Sequence, residues 1–456
     1  MATTDTADTA AKAPSAGYRV WVLFMLFMVY AFNFLDRQII SILAIPIQQE
    51  LDLSDRQLGL LGGIAFAFLY STLGVPIAWL ADRTNRTWII TVSLTIWSGF
   101  TALCGFTQNF WQLFASRVGV GVGEAGGVAP SYSLIADYFP PQSRARALAV
   151  YSLGIPIGSA FGVIAGAQIA GGNLGESLDW RSAFIIVGIA GIVIAPIFKL
   201  TLREPKRGGL DVKAKTEAAK AQPEPGEAAS VAAPAEAADE KKPGFGEVLK
   251  VLSKKPSFWF LVLGASCSSM MGYGVFFWIP SFFARSFELG IIETGWLFGG
   301  VLFVGGSLGI ILGGVLGDLM GKGSKKMYAI VPAIAFFLTF PMYVAGTMAT
   351  DPLIGALLFV IPTGLGLAWL GPTLSAFQHL APANMRSMAS AVFLLINNLL
   401  GIGVGVYVLG ELSTLLTPVF GNEALRYSIM AGASLYVVAG LLFLVASRTI
   451  ENDWEK

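Results

Sequence analysis

Two short stretches carry chemistry inside an otherwise greasy chain. "NFLDRQ" sets Asn33, Asp36 and Arg37 at i, i+3 and i+4, so on a helix the amide reaches either charge. "RVGVGVGEA" sets Arg117 and Glu124 seven residues apart, close to two helical turns and about 10.5 Å along one face. Two carboxylates and two guanidinium groups allow two kinds of behaviour. They can form satisfied ion pairs that only lock one helix to another. Stability alone is a poor reason for such pairs, because desolvation often cancels the Coulomb gain. Alternatively, Arg37 and Arg117 receive an anion while Asp36 and Glu124 exchange protons. A carboxylate that loses its arginine in apolar surroundings holds a proton more tightly. Anion binding would then be coupled to protonation.

The second stretch also contains a decoy. Gly121 to Gly126 spells G-x-G-x-x-G, the pattern of a loop that cradles a dinucleotide. That loop follows a strand and opens a helix. Here no strand-like alternation precedes the glycines, and Asn109 to Tyr138 holds only Arg117, Glu124 and Asp137 as charges. The run reads as one helix. Gly119, Gly123, Gly126 and Pro130 fall on the face opposite the charges, where small residues let a neighbouring helix approach.

Such a helix needs a membrane around it. Of 456 residues, 55% are hydrophobic and 13% charged, against roughly a quarter charged in soluble domains. Twelve apolar segments run roughly through 20–48, 57–81, 87–107, 109–137, 147–170, 182–198, 256–284, 291–319, 327–348, 352–379, 387–412 and 427–447. Each is close to or above the ~20 residues a crossing requires, the sixth being the shortest. The fold class is therefore an all-α membrane protein. Among the Lys and Arg residues, only Arg56, Arg181, Arg285 and Arg426 fall in the loops opposite the termini, and only Arg37 and Arg117 lie inside spans. The bias places both termini in the cytoplasm.

The remaining segments divide the chain. Residues 1–17 lack the basic start of a signal peptide and read as a disordered cytoplasmic tail. An Ala/Pro/Glu/Lys-rich linker at 203–245 separates six spans, 18–202, from six more, 256–450. Between them, 246–255 suits a short amphipathic helix on the inner membrane surface, and 451–456 forms a second tail. A net charge of +1 gives no case for a nucleic-acid partner. Cys104 and Cys267 have no metal or redox spacing, so neither metal nor cofactor is expected. No membrane-buried nucleophile–base pair stands out, which argues against an enzyme.

The halves repeat each other. "AWLADR" after the second span matches "GVLGDL" after the eighth, and "PPQSRARA" after the fourth matches "PANMRSMA" after the tenth. Duplicated six-span units are a transporter signature, with the substrate site between them at midplane. They argue for a moving machine over a lipid-binding receptor without flux.

"AWLADRTNR" resembles the loop 2–3 motif of the major facilitator superfamily, with Ala78 and Asn85 where the motif has glycine. "RVGVGVGEA" resembles its fourth-span R-x-x-x-G motif through Arg117 and Gly121, and "GIPIGSAFG" partly matches its fifth-span glycine/proline motif. "NFLDRQ", "VGVGEA" and "DRTNR" together are similar to the Spinster branch, whose members export lysolipids and sphingoid phosphates. The resemblance implies two six-helix bundles in a bacterial inner membrane and rocker-switch alternating access, while the repeat, by giving a complete pathway in one chain, makes a functional monomer the expectation. It implies that the first and fourth helices line the central cavity. Asp82, Arg83, Arg86, Asp137 and Arg144, with the repeat partners Asp318 and Arg386, would form a cytoplasmic latch. Asp82 sits where a carboxylate can cap a helix N-terminus.

The halves also differ. The first six spans bury Asp36, Arg37, Arg117 and Glu124. In the last six, Asp318, His379, Arg386 and Glu411 all sit at span ends. The second half instead offers Tyr273, Phe276, Phe277, Trp278, Trp369 and Phe377, with Asn397 and Asn398 as hydrogen-bonding groups or interhelical glue. A cavity charged on one wall and apolar on the other suits an amphiphilic anion such as a lysolipid or sphingoid phosphate. A soluble organic anion or drug-like compound is the other cargo expected of the same fold.

Overall fold

The computed structural model describes residues 15–205, 207, 245–320, 324–382 and 385–455. Most of the expected linker and most of the amino-terminal tail lie outside the described residues. What is described is helical throughout, with ten stretches long and apolar enough to cross a membrane. One of these is a 66-residue run that folds back at Gly421, whose φ of +54° favours glycine, and so makes two crossings. The fourth span adds a further crossing. It is broken into Phe110–Glu124 and Val128–Tyr138, each too short to count alone. The protein therefore has twelve transmembrane helices.

The sequence starts these helices by local chemistry. Ser54 and Gln57 form a reciprocal capping box at the second span. Asn85, Asn109, Asp179 and Asp351 each accept a backbone N–H at the start of the third, fourth, sixth and tenth. Each such cap is worth about 0.5–2 kcal/mol.

Glycines set the packing. In the fifth span (Gly154–Ala170), a Cβ on Gly158 would lie 2.0 Å from the Ala31 carbonyl oxygen of the first span (Ala16–Ile42). The "GIPIGSAFG" stretch is thus a seat for the first helix. On the fourth span, a Cβ on Gly123 would lie 2.4 Å from the Trp97 nitrogen of the third span (Arg86–Cys104). The glycine face expected there does receive a neighbour. The duplication is visible in the pairing: second with fourth and third with sixth recur as eighth with tenth and ninth with twelfth. First with fifth likewise recurs as seventh with eleventh.

Three features depart from the sequence reading. The fourth span breaks at Ala125–Gly127, immediately after Glu124, because "EAGG" adds two glycines where helix continuation is weakest. The eleventh widens into a π-turn over Leu399–Val404. The short helix Phe245–Leu252 does not lie free on a bilayer surface: Val248 and Leu252 are wholly buried, and it packs on the start of the eleventh span.

Candidate functional site

The four membrane-buried charges of the first half do converge. Arg37 donates from Nε to Glu124 Oε2 at 2.7 Å. Its guanidinium also lies over three rings, with centroids at 4.3 Å for Tyr70, 4.7 Å for Phe66 and 5.0 Å for Phe34. This caging holds a desolvated cation by π-electron density as well as by its counterion. Asp36 makes no pair with Arg37. Its Oδ2 meets the Thr101 hydroxyl of the third span at 2.5 Å, and its Oδ1 has no protein partner. Arg117 is 1% exposed, and its Nε and one terminal nitrogen have no partner. Asn33 departs from expectation. Both atoms of its amide are unpartnered, so it reaches neither Asp36 nor Arg37. It faces Tyr30, Trp97 and Tyr151 in a separate small pocket.

Between the halves lies a small, partly open cavity of about 40 Å³. Arg37, Gln38, Arg117 and Ser159 give it a polar wall, and Tyr273, Phe276 and Phe277 an aromatic one. These three occupy i, i+3 and i+4 of the seventh span (Pro256–Ser286), one face of one helix. Gly62 of the second span leaves room for Phe277, whose ring would lie 2.2 Å from a Cβ there.

Other expected contacts fall elsewhere. Trp278 is fully buried and donates its indole N–H to the Val406 carbonyl at 2.9 Å, a packing role. Trp369 sits at the break between Pro352–Ala368 and Leu370–His379, against Phe336. Phe377 is buried between Phe258 and Phe393. The Asn397 side-chain oxygen accepts from Ser269 at 2.9 Å, which is interhelical glue. Asn398 is half-buried where the π-turn begins and does not line the cavity.

A family model described as the Major Facilitator Superfamily matches residues 26–406. The chain belongs to the major facilitator superfamily. It is 30% identical to an MFS-type efflux pump of Mycolicibacterium smegmatis, covering 95% of this chain and 94% of that protein. It is 26% identical to protein spinster homolog 1 of Xenopus tropicalis, over 96% and 82% of the two chains. It also superimposes with a TM-score of 0.81 on the crystal structure of a bacterial homolog to the human lysosomal transporter Spinster, in an inward-facing, unoccupied conformation. That match has 30% identity over 97% of this chain and 100% of the other. The protein is thus a Spinster-like membrane transporter and not an enzyme.

The superfamily's loop motifs can now be placed. On the face bearing both termini, Arg86 is 1% exposed and donates to Asp137 at 2.5 Å, Glu204 at 2.6 Å and Ser133 at 2.7 Å. Arg144 donates to the Ala136 carbonyl at 2.7 Å. Asp82 does not cap a helix N-terminus. It is the exposed C-cap of the second span, and Asn85 caps the third instead. Arg83 lies 4.0 Å over the ring of Trp79, one turn back on its own helix. Arg386 begins the eleventh span with a buried, unpartnered Nε. The side chain of Asp318 lies outside the described residues.

The opposite face holds residues that the sequence reading counted only as loop charges. Arg285 at the end of the seventh span clasps both oxygens of Asp55 at 2.6 and 2.7 Å. Ser413 and Gln48 also donate to that carboxylate. Arg56 pairs with Glu411, and its backbone N–H donates to the Thr414 hydroxyl oxygen at 3.0 Å. These contacts tie the second span to the seventh and eleventh, across the two halves. Nothing in the sequence marks the contacts between the halves, since partners more than 200 residues apart share no spacing rule.

Proposed function

We propose that this protein moves an amphiphilic anion, lysolipid- or sphingoid-phosphate-like, by proton-coupled rocker-switch alternating access. The observation that carries this reading is Arg117. A guanidinium 1% exposed, with two nitrogens lacking partners, lines the cavity facing an aromatic wall. Buried donors left unmatched cost about 1–3 kcal/mol each, so an anionic headgroup that accepts from them binds favourably. Tyr273, Phe276 and Phe277 then receive the apolar part. Asp36 and Glu124 surround the same arginines, so headgroup and carboxylates compete for them.

The rest of the cycle follows from the two faces. The halves are tied by Asp55–Arg285 on the face away from the termini. With the termini in the cytoplasm, this state is closed to the outside. Asp82, Arg83, Arg86, Asp137 and Arg144, with Asp318 and Arg386, belong to the latch that closes the cytoplasmic face in the opposite state. Two six-helix bundles joined by the 203–245 linker work as a monomer in the cytoplasmic membrane of a bacterium.

The test is flux of a radiolabelled anionic lysophospholipid into proteoliposomes, with and without a pH gradient. Arg117→Ala should lower it at least tenfold, and Asp36→Asn should abolish its pH dependence. Unchanged pH-dependent flux in Asp36→Asn overturns the coupling role. A second reading, a soluble organic anion or drug-like compound, is favoured by the relative named an efflux pump. Selective flux of a soluble anion over the lysophospholipid would establish it.

A further inference from the structure

Gln38 joins the two halves at a place where a helix cannot satisfy itself. The seventh span carries Pro280 in its interior. Proline has no N–H, so the carbonyl four residues earlier, that of Phe276, loses its helical partner. Gln38 of the first span supplies the missing donor: its Nε2 donates to the Phe276 carbonyl at 3.2 Å. Only the nitrogen end of an amide can serve a carbonyl, which fixes how the side chain is turned. The neighbouring polar groups do not take its place. Ser281, beside the proline, keeps a buried hydroxyl without a partner, and the Trp278 indole N–H goes to Val406.

Position gives this bond its consequence. Gln38 is 7% exposed and lines the central cavity beside Arg37, and Phe276 belongs to the aromatic wall. Arg285, which clasps Asp55, lies nine residues further along the seventh span, about 13.5 Å toward the outer face. The amide thus crosses between the halves at the inner edge of the closed outer barrier, beneath the Asp55 and Arg56 clasps. In this state the contact is partly buried, and without the amide the carbonyl would lose its protein donor. When the halves separate on the outer face, water reaches the same carbonyl. The bond therefore stabilises one conformation and not the other, which is the condition for shifting a population.

We propose that Gln38 is a positioning residue that bolts the outer side of the cavity shut by capping the carbonyl that Pro280 leaves open. It acts on the seventh span and not on cargo. The proline vacates an acceptor in one half, and the amide of the other half fills it only when the halves meet. This rests on the alternating-access reading, and it adds a bolt at the cavity itself to the charged clasps at the helix ends.

A double-mutant cycle tests it, because Pro280→Ala returns an N–H to the helix and makes Gln38 dispensable. Spin labels at the exposed outer positions Gln49 and Val419 would report on the full chain in lipid nanodiscs, with Cys104→Ala and Cys267→Ala as background. Gln38→Met keeps the length and removes the amide. It should raise the ratio of long to short distances about tenfold, the scale expected of an acceptor left without a donor. Made on Pro280→Ala, the same substitution should change that ratio by about twofold at most. Equal widening in the two backgrounds, or none with the proline present, overturns the proposal. Thermal unfolding of the four proteins in detergent identifies a variant that simply folds badly. Gln38→Met should lower the midpoint in the chain with the proline and leave it unchanged in the Pro280→Ala chain, and an equal loss in both also overturns the proposal. If the distances respond as expected while the chain carries neither an anionic lysophospholipid nor a soluble organic anion, the bolt stands and the transport reading fails.

Discussion

The two halves share an ancestry of helix pairings and differ in what they bury. At the heart of the amino-terminal bundle are Asp36, Arg117 and Glu124, each at most 1% exposed, and Arg37, whose side chain is 10% exposed. The carboxy-terminal bundle holds aromatic packing instead, with Tyr343 stacked on Tyr436 at 5.7 Å and Phe336 set between Trp369 and Phe443. Buried charge is expensive in a membrane and is kept where it has a task. The two halves are alike in their helix pairings, and one carries the buried charge while the other supplies the aromatic wall.

The largest expected effect comes from breaking the ion pair from one side. Arg37→Ala leaves Glu124 buried without its counterion, which should cost about 3–5 kcal/mol in thermal or denaturant unfolding in detergent. Replacing both residues, as Arg37→Met with Glu124→Leu, should recover most of that stability and leave transport abolished. If the double variant is as unstable as Arg37→Ala, the pair is structural and the contrast between halves loses its meaning.

Next in size is the clasp that joins the halves. Asp55→Asn removes the charge that Arg285 grips with two nitrogens, a change of about 2–5 kcal/mol for a buried, hydrogen-bonded pair. Spin labels on the ends of the second and seventh spans should then report a wider distance distribution on that face. Arg56→Gln breaks the more exposed Glu411 pair and should widen it less. Equal widening in the two variants would show that burial does not rank these clasps.

The smallest effect sharpens the view of the aromatic wall. Phe276→Ala should weaken binding of an anionic lysophospholipid about tenfold, near 1.4 kcal/mol, and leave a small soluble anion unaffected. Equal losses for both ligands would mean that the wall shapes the cavity without recognising a tail.

Much of the site was legible because it depends on residue type. Arg37, Arg117 and Glu124 announce themselves as charges in apolar runs, and Tyr273, Phe276 and Phe277 share a helical face. Trp278 shows where that logic ends. It follows Phe277 directly, but a step of one residue turns about 100° around the helix axis, and its indole ends on the Val406 carbonyl. Thr101 gives no sign in sequence, since threonines are scattered through the third span. Asn33 has the right spacing, yet its side chain points into another pocket.

The sequence by itself determined twelve crossings, a sixfold unit used twice, and the confinement of buried charge to the first unit. Insertion into a bilayer is nearly a sum over some twenty consecutive residues, so local composition decides it. Tertiary structure alone decided that Glu124 takes Arg37 as its partner, that Thr101 meets Asp36, and that Arg285 reaches Asp55. Those choices depend on how each helix is rotated against its neighbours, and glycine contacts such as Gly123 on Trp97 and Gly158 on Ala31 help to set that rotation.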